Sequence, residues 1–521
     1  MRQLVRFSSA IALLAVVLGA FRLWAADRKP AELGTPVRGR NERSILFFTL
    51  AEAGQINVQL ATAQALLEKH PDLVVHFASF PSMRQKVSHV SSLALKRTPS
   101  TQALVFHELP GPDRMVAMTR QMNGTGPLEC LAHPPGARGA ALLAEQLELA
   151  LWPWSGEEHM AIYQRCLEVV EDVDPGLVVV DFAFRPAMDA VEQLNRHRAV
   201  ISPLAMADIF ATQQRYGAGL WKYPAWGTGF SFPVPWHQIP ENVYVNLRLL
   251  YNLLANPQTK AAVKYLRDRG IGSHPLSFPK GVPFITQTLP GASIPVGFVP
   301  DGVSCAGAIV LDSAPAEEQD AELAAWVQRA PTIIVNLGSL FKYTPERATL
   351  MAEAIQRVLA ANSEVQVLWK MARNTDVVDE TFSETLAKHL SQDRVRIMDW
   401  LTVDMLPLLQ LDKVVASVHH GGSSSFNEAV AAGVPQVVMP IWEDHYNFAQ
   451  LVEDLGLGLY ATRGTAPEWT VAGIAEPILR VVKQGEESRR WRKKAEEIGR
   501  LAQERPGRYV AAAELVRLLG V

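Results

Sequence analysis

The chain has 521 residues, of which 48% are hydrophobic and 20% charged, and its formal net charge is −3. This length predicts two domains, and the apolar content argues against long disordered regions. There is no basic excess to attract a nucleic acid, so that class of partner is excluded. The three cysteines, Cys130, Cys166 and Cys305, are too few for a disulfide scaffold and are not spaced for a zinc site.

The N-terminal region, residues 1–43, contains an apolar segment at 7–26 followed by a linker. About twenty apolar residues suffice for a membrane anchor if Arg22 extends to the interface. Basic residues are more numerous after the segment than before it, so the positive-inside rule then places the remainder of the chain in the cytoplasm. A signal peptide cleaved near Ala26, which leads into the secretory pathway, and a peripheral amphipathic segment remain open alternatives.

In residues 44–300, short β-prone apolar runs alternate with helical segments. A strand is predicted over 44–50, a helix over 57–69 and a second strand over 73–78. This order of strand, helix and strand is typical of a parallel sheet. A further buried strand ends at Asp181.

An aromatic insertion interrupts this pattern between residues 203 and 260. The aromatic residues of 221–236 predict a wide apolar pocket. A hydrophobic lid or a membrane-surface patch is the alternative interpretation.

A second domain is predicted over 320–480, after a linker at 301–319 and before closing helices at 481–521. It again alternates strands with helices, beginning with a strand over 332–337. The whole pattern predicts an α/β protein with two Rossmann-like, doubly wound parallel sheets facing across a cleft. In such sheets the ligand lies beyond the carboxyl ends of the strands.

One segment of the second domain combines a strand, a Gly-rich loop and the start of a helix. Backbone N–H groups between His420 and Gly422 and at the helix N-terminus form an anion site. The hydroxyls of Ser424 and Ser425 and the imidazole of His420 add further donors. This chemistry suits a diphosphate leaving group. A plain capping box, formed by Ser425 and Glu428, is the structural alternative.

This segment resembles the donor-binding signature of family 1 nucleotide-sugar glycosyltransferases, which is His-x-Gly-x-Asn-Ser-x-x-Glu, then Gly-x-Pro, then Pro-x-x-x-(Asp/Glu)-Gln. The chain has HGGSSSFNE at 420–428, GVP at 433–435 and PIWEDH at 440–445. The resemblance covers nearly all of 44–480 and is nearest to fungal members. It implies the GT-B fold, in which the first domain binds the acceptor and the second binds a UDP-sugar.

The resemblance also implies which residues of the second domain bind the UDP-sugar. Those that contact the pyrophosphate or lie beside it are Ser339, His420, Gly422, Ser424 and Ser425. By the same resemblance Glu428 binds the ribose hydroxyls, Trp400 stacks on uracil, and Asp444 and His445 face the hexose. Core packing for Trp400 and a turn for Ser339 are the structural alternatives.

Three positions depart from the family signature. Ser424 stands in place of the asparagine, His445 in place of the sugar-facing glutamine, and Thr402-Val403 in place of the Pro-Gln after the stacking tryptophan. Because of His445 the sugar is not assigned from that position. The donor region lacks an Asp-x-Asp motif, so we expect neither a metal ion nor a cofactor besides the UDP-sugar.

In the family, a histidine after the first strand deprotonates the acceptor, and an aspartate orients its imidazole. Gln55 stands at the position of that histidine, and an amide takes no proton at neutral pH. Asp181 matches the aspartate. Three groups therefore compete as the base: Glu52, His107, or Asp181 acting directly. Gln55 remains able to orient the acceptor through a hydrogen bond.

We therefore expect an inverting UDP-sugar glycosyltransferase that transfers a hexose, with glucose favoured, to a hydroxyl of a small lipophilic acceptor. Polyketide, terpenoid or sterol secondary metabolites fit the predicted pocket. A catalytically inactive nucleotide-sugar-binding subunit of the same fold is the second hypothesis, because Gln55 removes the base. A sugar-nucleotide epimerase is the third.

Overall fold

The computed structural model describes residues 35–122, 131–272, 281–374, 377 and 380–520. The predicted membrane segment, 7–26, lies outside the described residues. Over the part of the chain that is described, no helix has the length and apolar character needed to cross a membrane.

The first sheet has seven parallel strands. They are β1 (Asn41–Phe48), β2 (Val74–Ser79), β3 (Val105–Glu108), β4 (Pro175–Asp181), β5 (Arg198–Ser202), β6 (Phe284–Thr286) and β7 (Val303–Cys305). Their order is β3-β2-β1-β4-β5-β6-β7. Strand β4 is buried along its whole length, as expected for a parallel sheet with helices on both faces. Because β7 pairs with β6, the sheet extends past residue 300 into the predicted linker.

The second sheet has six parallel strands. They are β8 (Thr332–Asn336), β9 (Gln366–Lys370), β10 (Val395–Met398), β11 (Val414–His419), β12 (Gln436–Val438) and β13 (Gly458–Tyr460). The order β10-β9-β8-β11-β12-β13 reverses beside β8, just as the first sheet reverses beside β1. Such reversals open a crevice at the carboxyl ends of the strands. The predicted pair of doubly wound sheets is confirmed.

The helices of the first domain are α1 (Ala53–Lys69), α2 (Arg84–Arg97), α3 (Arg114–Gln121), α4 (Ala140–Leu151), α5 (Gly156–Val173), α6 (Arg185–Gln193), α7 (Met206–Phe210), α8 (Ala218–Trp221), α9 (Ile239–Ala255) and α10 (Pro257–Arg267). Helix α1 begins at Ala53, earlier than the predicted residue 57. Its N-cap is Glu52, which makes no capping hydrogen bond with its side chain. Gln55 therefore lies in the first helical turn.

The remaining helices are α11 (Ala316–Gln319), α12 (Ala321–Arg329), α13 (Pro345–Ala361), α14 (Glu380–Ser391), α15 (Met405–Leu409), α16 (Ser423–Ala432), α17 (His445–Asp454), α18 (Val471–Val482), α19 (Glu486–Glu504) and α20 (Gly507–Leu519). Helix α20 returns to the first domain. Its Ala511 and Leu515 are buried in the same cluster as Ile45 of β1 and Leu66 of α1.

The aromatic insertion connects the two domains. The side chain of Asn447 on α17 accepts a hydrogen bond from Gly227 N at 3.0 Å and donates one to Ala225 O at 3.1 Å. Ser231 Oγ donates to Asp454 Oδ1 at 3.0 Å. The insertion is thus fixed against the domain that carries the predicted donor site.

Candidate active site

A cavity of about 680 Å³ lies between the two sheets. Residues that follow β1, β4 and β5 line one side, and residues that follow β8, β10, β11 and β12 line the other. Every residue that the sequence analysis assigns to the donor lines this cavity: Ser339, Trp400, His420, Gly422, Ser424, Ser425, Glu428, Asp444 and His445. The structure thus brings together residues from four separate loops.

The N-terminus of α16 forms part of the cavity wall. Its N-cap is Gly422, and among the described residues no side chain caps it. The capping-box alternative for Ser425 is therefore wrong, because Ser425 lies inside the first turn. The backbone N–H groups of that turn remain available to a ligand, as do the hydroxyls of Ser424 and Ser425. Ser423 instead donates to Pro203 O of the first domain at 2.5 Å.

The His420 imidazole is enclosed by two glycines. A Cβ atom on Gly338 would approach the ring to 2.6 Å, and one on Gly422 would approach Nε2 to 2.5 Å. Burial lowers the pKa of His420 to about 3, and the neighbouring His419 and Lys370 act in the same direction. At neutral pH the ring is therefore uncharged and offers one N–H donor.

Trp400 belongs to the wall of the cavity that the second domain forms. It is 60% exposed, so core packing does not explain it. The ammonium of Lys370 lies 3.8 Å from the centroid of the Trp400 ring. Burial raises the pKa of Glu428 to about 7 and lowers that of Lys370 to about 8. Both groups consequently titrate near neutrality.

Carboxyl groups crowd the end of the cavity at which the resemblance places the hexose. Burial raises the pKa of Asp444 well above its ordinary value, and the neighbouring Glu443 and Asp208 raise it further. Burial also raises the pKa of Asp208 to about 6. A protonated carboxyl both donates and accepts hydrogen bonds, which suits a sugar hydroxyl.

Glu52 lines the cavity on the first-domain side, beside Gln55. Arg114 Nε donates to Glu52 Oε1 at 2.7 Å, and the two side chains are only 14% and 8% exposed. Glu52 Oε2 is buried and has no hydrogen-bond partner among the described residues. Such an oxygen carries a desolvation cost until a donor reaches it.

Asp181 ends β4 and is completely buried. It accepts hydrogen bonds from Ala183 N at 3.0 Å and from Thr49 Oγ1 at 3.4 Å. Burial raises its pKa to about 6, whereas the charge of Arg114 lowers it. Asp181 is not among the residues that line the cavity, so the structure gives no support to its acting directly on an acceptor.

His107 does not belong to this site. It lies in β3, the outermost strand on its side of the sheet. Its Nε2 is 2.9 Å from His76 Nδ1, and the two rings are stacked. His107 does not line the cavity. The structure therefore gives no support to His107 as the base, and strand β2 separates β3 from β1, the strand that leads to Glu52.

The apolar wall of the cavity differs in part from the prediction. From the segment 221–236, only Pro224, Ala225 and Trp226 line it. Trp236 is 83% exposed. Further apolar side chains come from one face of α9, with Leu249, Leu250 and Leu253, from Leu147 and Leu151 of α4, and from Met115 and Met118 of α3.

Several charged residues of the cavity escaped the sequence analysis: Lys86, Arg114, Asp208, Lys370 and Glu443. One of them carried a usable signal. Lys370 is the last residue of the apolar run 365–370, which predicts a strand of the second parallel sheet, and ligands bind at the carboxyl ends of such strands. The others lie in loops and helices whose place in the cleft depends on the tertiary fold.

The comparisons with known proteins agree with this geometry. Residues 371–515 match the family model described as "Erythromycin biosynthesis protein CIII-like, C-terminal domain". Glycosyltransferase sdnJ of Sordaria araneosa is 35% identical over 436 residues, which cover 81% of this chain and 84% of that protein. The sterol 3-beta-glucosyltransferase of Leptosphaeria maculans is 30% identical over 184 residues, covering 34% of this chain and 12% of that protein.

Solved structures share the fold over nearly the whole chain. The glycotransferase of kitacinnamycin aligns with a TM-score of 0.58 and 16% identity, covering 93% of this chain and 100% of that chain. A UDP-glucosyltransferase from Polygonum tinctorium capable of glucosylating indoxyl aligns with a TM-score of 0.59 and 18% identity, covering 92% and 99%. The chain is therefore an enzyme that belongs to the family 1 UDP-glycosyltransferases of the GT-B fold.

Proposed function

We propose that the enzyme transfers glucose from UDP-glucose to a hydroxyl of a small lipophilic acceptor, with inversion at the anomeric carbon. One observation carries this proposal. A single cavity joins the uncapped N-terminus of α16 and His420 on one wall to Glu52 and its unpartnered oxygen on the other. Such a cavity holds a diphosphate and an acceptor hydroxyl in reach of one anomeric carbon.

The donor lies along the second domain in this proposal. The N–H groups of α16 and the hydroxyls of Ser424 and Ser425 bind the diphosphate. Negative charge grows on UDP as its bond to the sugar breaks, and the helix N-terminus and the N–H of His420 stabilise that charge. Glu428 accepts hydrogen bonds from the ribose, and uracil stacks on Trp400. No metal ion is required by this scheme.

We assign deprotonation of the acceptor to Glu52. Arg114 holds Oε1, which leaves Oε2 to accept the hydroxyl proton. The acceptor oxygen forms a bond to the anomeric carbon while the bond from that carbon to the UDP oxygen breaks, and UDP departs with the electron pair. Gln55 orients the acceptor, and Asp181 acts as a positioning residue behind Arg114.

The class of acceptor is inferred from the apolar wall. Leucines of α9, the methionines of α3 and Trp226 form a surface suited to a lipophilic small molecule. The names of the relatives agree with this chemistry, because they include sterol 3-beta-glucosyltransferases and an indoxyl-glucosylating enzyme. A polyketide, terpenoid or sterol hydroxyl is therefore the proposed acceptor.

The test is UDP release by the full chain with UDP-glucose and a panel of phenols, sterols, terpenoids and polyketides. We expect acceptor-dependent turnover with at least one of them, and a loss of about 100-fold in His420→Ala. Binding of UDP-glucose without turnover on any acceptor would favour the inactive binding subunit. Epimerised UDP-sugar formed without an acceptor would favour the epimerase.

A further inference from the structure

Two lysines line the cavity beside Glu428, one from each domain. Lys86, on α2 of the first domain, donates from Nζ to Asn57 Oδ1 at 2.5 Å. Lys370, at the end of β9 in the second domain, donates from Nζ to Gly338 O at 2.9 Å and is 6% exposed. Both partners are neutral oxygens.

Neither ammonium group has a carboxylate partner within ion-pair distance among the described residues. Glu428 is the carboxylate whose charge acts on both lysines, and Asp404, which also lines the cavity, acts on Lys86. Burial drives Glu428 itself toward its neutral form by raising its pKa. Buried cations in proteins are ordinarily paired with an anion. Since neither carboxylate lies within ion-pair distance of a lysine Nζ, both ammonium groups remain able to pair directly with an anionic ligand.

The position of Lys370 indicates which part of a ligand it would meet. Gly338, whose carbonyl it contacts, lies against the His420 ring at the start of the anion-binding loop. On its other side Lys370 lies over the Trp400 ring. The ammonium therefore stands between the loop proposed for the diphosphate and the ring proposed for the base.

We propose that Lys86 and Lys370 clamp the diphosphate of the donor from opposite sides of the cleft. This inference rests on the proposed function and adds two residues to its donor site, one of them from the acceptor-binding domain. The two ammonium groups and the N-terminus of α16 together stabilise the negative charge that develops on the departing UDP. Because Lys86 belongs to the first domain, the nucleotide itself holds the two domains together.

The test compares UDP with uridine, which has the same base and ribose but lacks the phosphates. Binding is measured by calorimetry with the full chain and with Lys86→Met, Lys370→Met, the double variant and Lys86→Arg. We expect each Met substitution to weaken UDP binding about 10-fold and the double variant about 100-fold. Uridine binding should change less than about twofold, and Lys86→Arg should retain most of the affinity for UDP.

The control is Lys264→Met, an exposed lysine of α10 that pairs with Asp268. It should bind UDP like the unaltered chain. Equal losses of UDP and uridine affinity would indicate a structural role and overturn the clamp. Unchanged UDP binding in the double variant would overturn it while leaving the proposed donor site intact. Absence of UDP binding in the unaltered chain would instead contradict the proposed function.

Discussion

At the scale of single residues, the clearest departure from the family is the loss of the histidine that serves as its base, and we propose that a carboxylate three positions earlier replaces it. Gln55 takes the place of the histidine, and Glu52, at the N-cap of the same helix, supplies a carboxylate with one unused oxygen. In our interpretation Arg114 does what the family's aspartate does, since it fixes the orientation of the group that takes the proton.

The first prediction concerns Glu52→Gln. This variant keeps the size of the side chain and a hydrogen-bond acceptor for Arg114 but removes the proton acceptor. We expect kcat to fall about 100-fold or more while the Kd for UDP-glucose stays within about twofold, because a general base acts only on the chemical step. Single-turnover kinetics and calorimetry measure the two quantities.

Two further variants test whether the fall in kcat is specific to Glu52. His107→Gln, in the outer strand β3, should retain activity. Asp208→Asn removes another carboxyl of the cavity, whose pKa burial raises to about 6. Full activity in Glu52→Gln combined with inactivity in Asp208→Asn would contradict our assignment and would indicate that Asp208 is the base.

A second prediction follows from the two titrating groups at the donor site. Glu428, whose pKa burial raises to about 7, accepts ribose hydroxyls best when ionised, so affinity should rise as pH passes upward through 7. Lys370, whose pKa burial lowers to about 8, binds phosphate only when protonated, so affinity should fall above 8. The Kd for UDP-glucose should therefore be lowest between pH 7 and 8.

UDP-glucose is the proper probe because its diphosphate does not titrate in this range. Glu428→Gln should remove the acidic limb of the profile, and Lys370→Arg should remove the alkaline limb. A profile that is flat from pH 6 to 9 in the unaltered chain would contradict the assignment of both groups.

Five of the site residues that the sequence predicted lie within one continuous segment, and the resemblance of that segment to the family signature identifies them: His420, Gly422, Ser424, Ser425 and Glu428. The pair of Glu52 and Arg114, in contrast, joins positions far apart along the chain. The sequence carries no local signal for such a pair, because the fold alone brings the β1–α1 turn to the start of α3.

At the scale of elements, helix α1 begins at Ala53 and not at the predicted residue 57, for two physical reasons. Its side chains from Val58 to Leu67 are buried almost all round, so it lacks the polar face on which a periodicity argument depends. Its N-cap, Glu52, turns its carboxylate to Arg114 instead of to the backbone. The sequence therefore provides neither an amphipathic pattern nor a capping side chain to mark the start of α1.

Helix α9 carries the third prediction, since its two faces have different surroundings. Leu250 lies on the face of α9 that lines the cavity, whereas Tyr251 on the same helix is 65% exposed. The substitution Leu250→Asp places a charge on the cavity-facing side. We expect Leu250→Asp to raise the KM for a lipophilic acceptor about 10-fold or more, because burying an apolar ligand against a charge is unfavourable. The Kd for UDP-glucose should not change.

Tyr251→Ala is the matched control and should leave both constants unaltered. Initial rates over a series of acceptor concentrations provide KM. An equal effect of the two substitutions would mean that the cavity-facing side of α9 does not bind the acceptor.

At the scale of the whole molecule, the two sheets followed from the alternation of strands and helices, but the assignment of segments to domains did not. Strand β7 extends the first sheet beyond the predicted boundary at residue 300. Helix α20 follows the second domain in sequence, yet it packs into the core of the first domain. An amphipathic pattern shows that a helix has an apolar face, and it does not show which sheet that face covers.

The return of α20 leads to the last prediction. Leu515 is completely buried against residues of β1 and α1, so Leu515→Ala should lower the free energy of unfolding by about 2–5 kcal/mol through loss of apolar contact and formation of a cavity. The loss of stability should be confined to the first domain. Hydrogen exchange should accelerate in 41–69 and remain unchanged in β9 and β10 of the second sheet. Arg517→Ala, an exposed position on the same helix, is the control for truncating a side chain outside the core, and it should leave the free energy of unfolding nearly unchanged. Faster exchange confined to the second sheet would mean that α20 stabilises the domain that precedes it in sequence, contrary to the packing described.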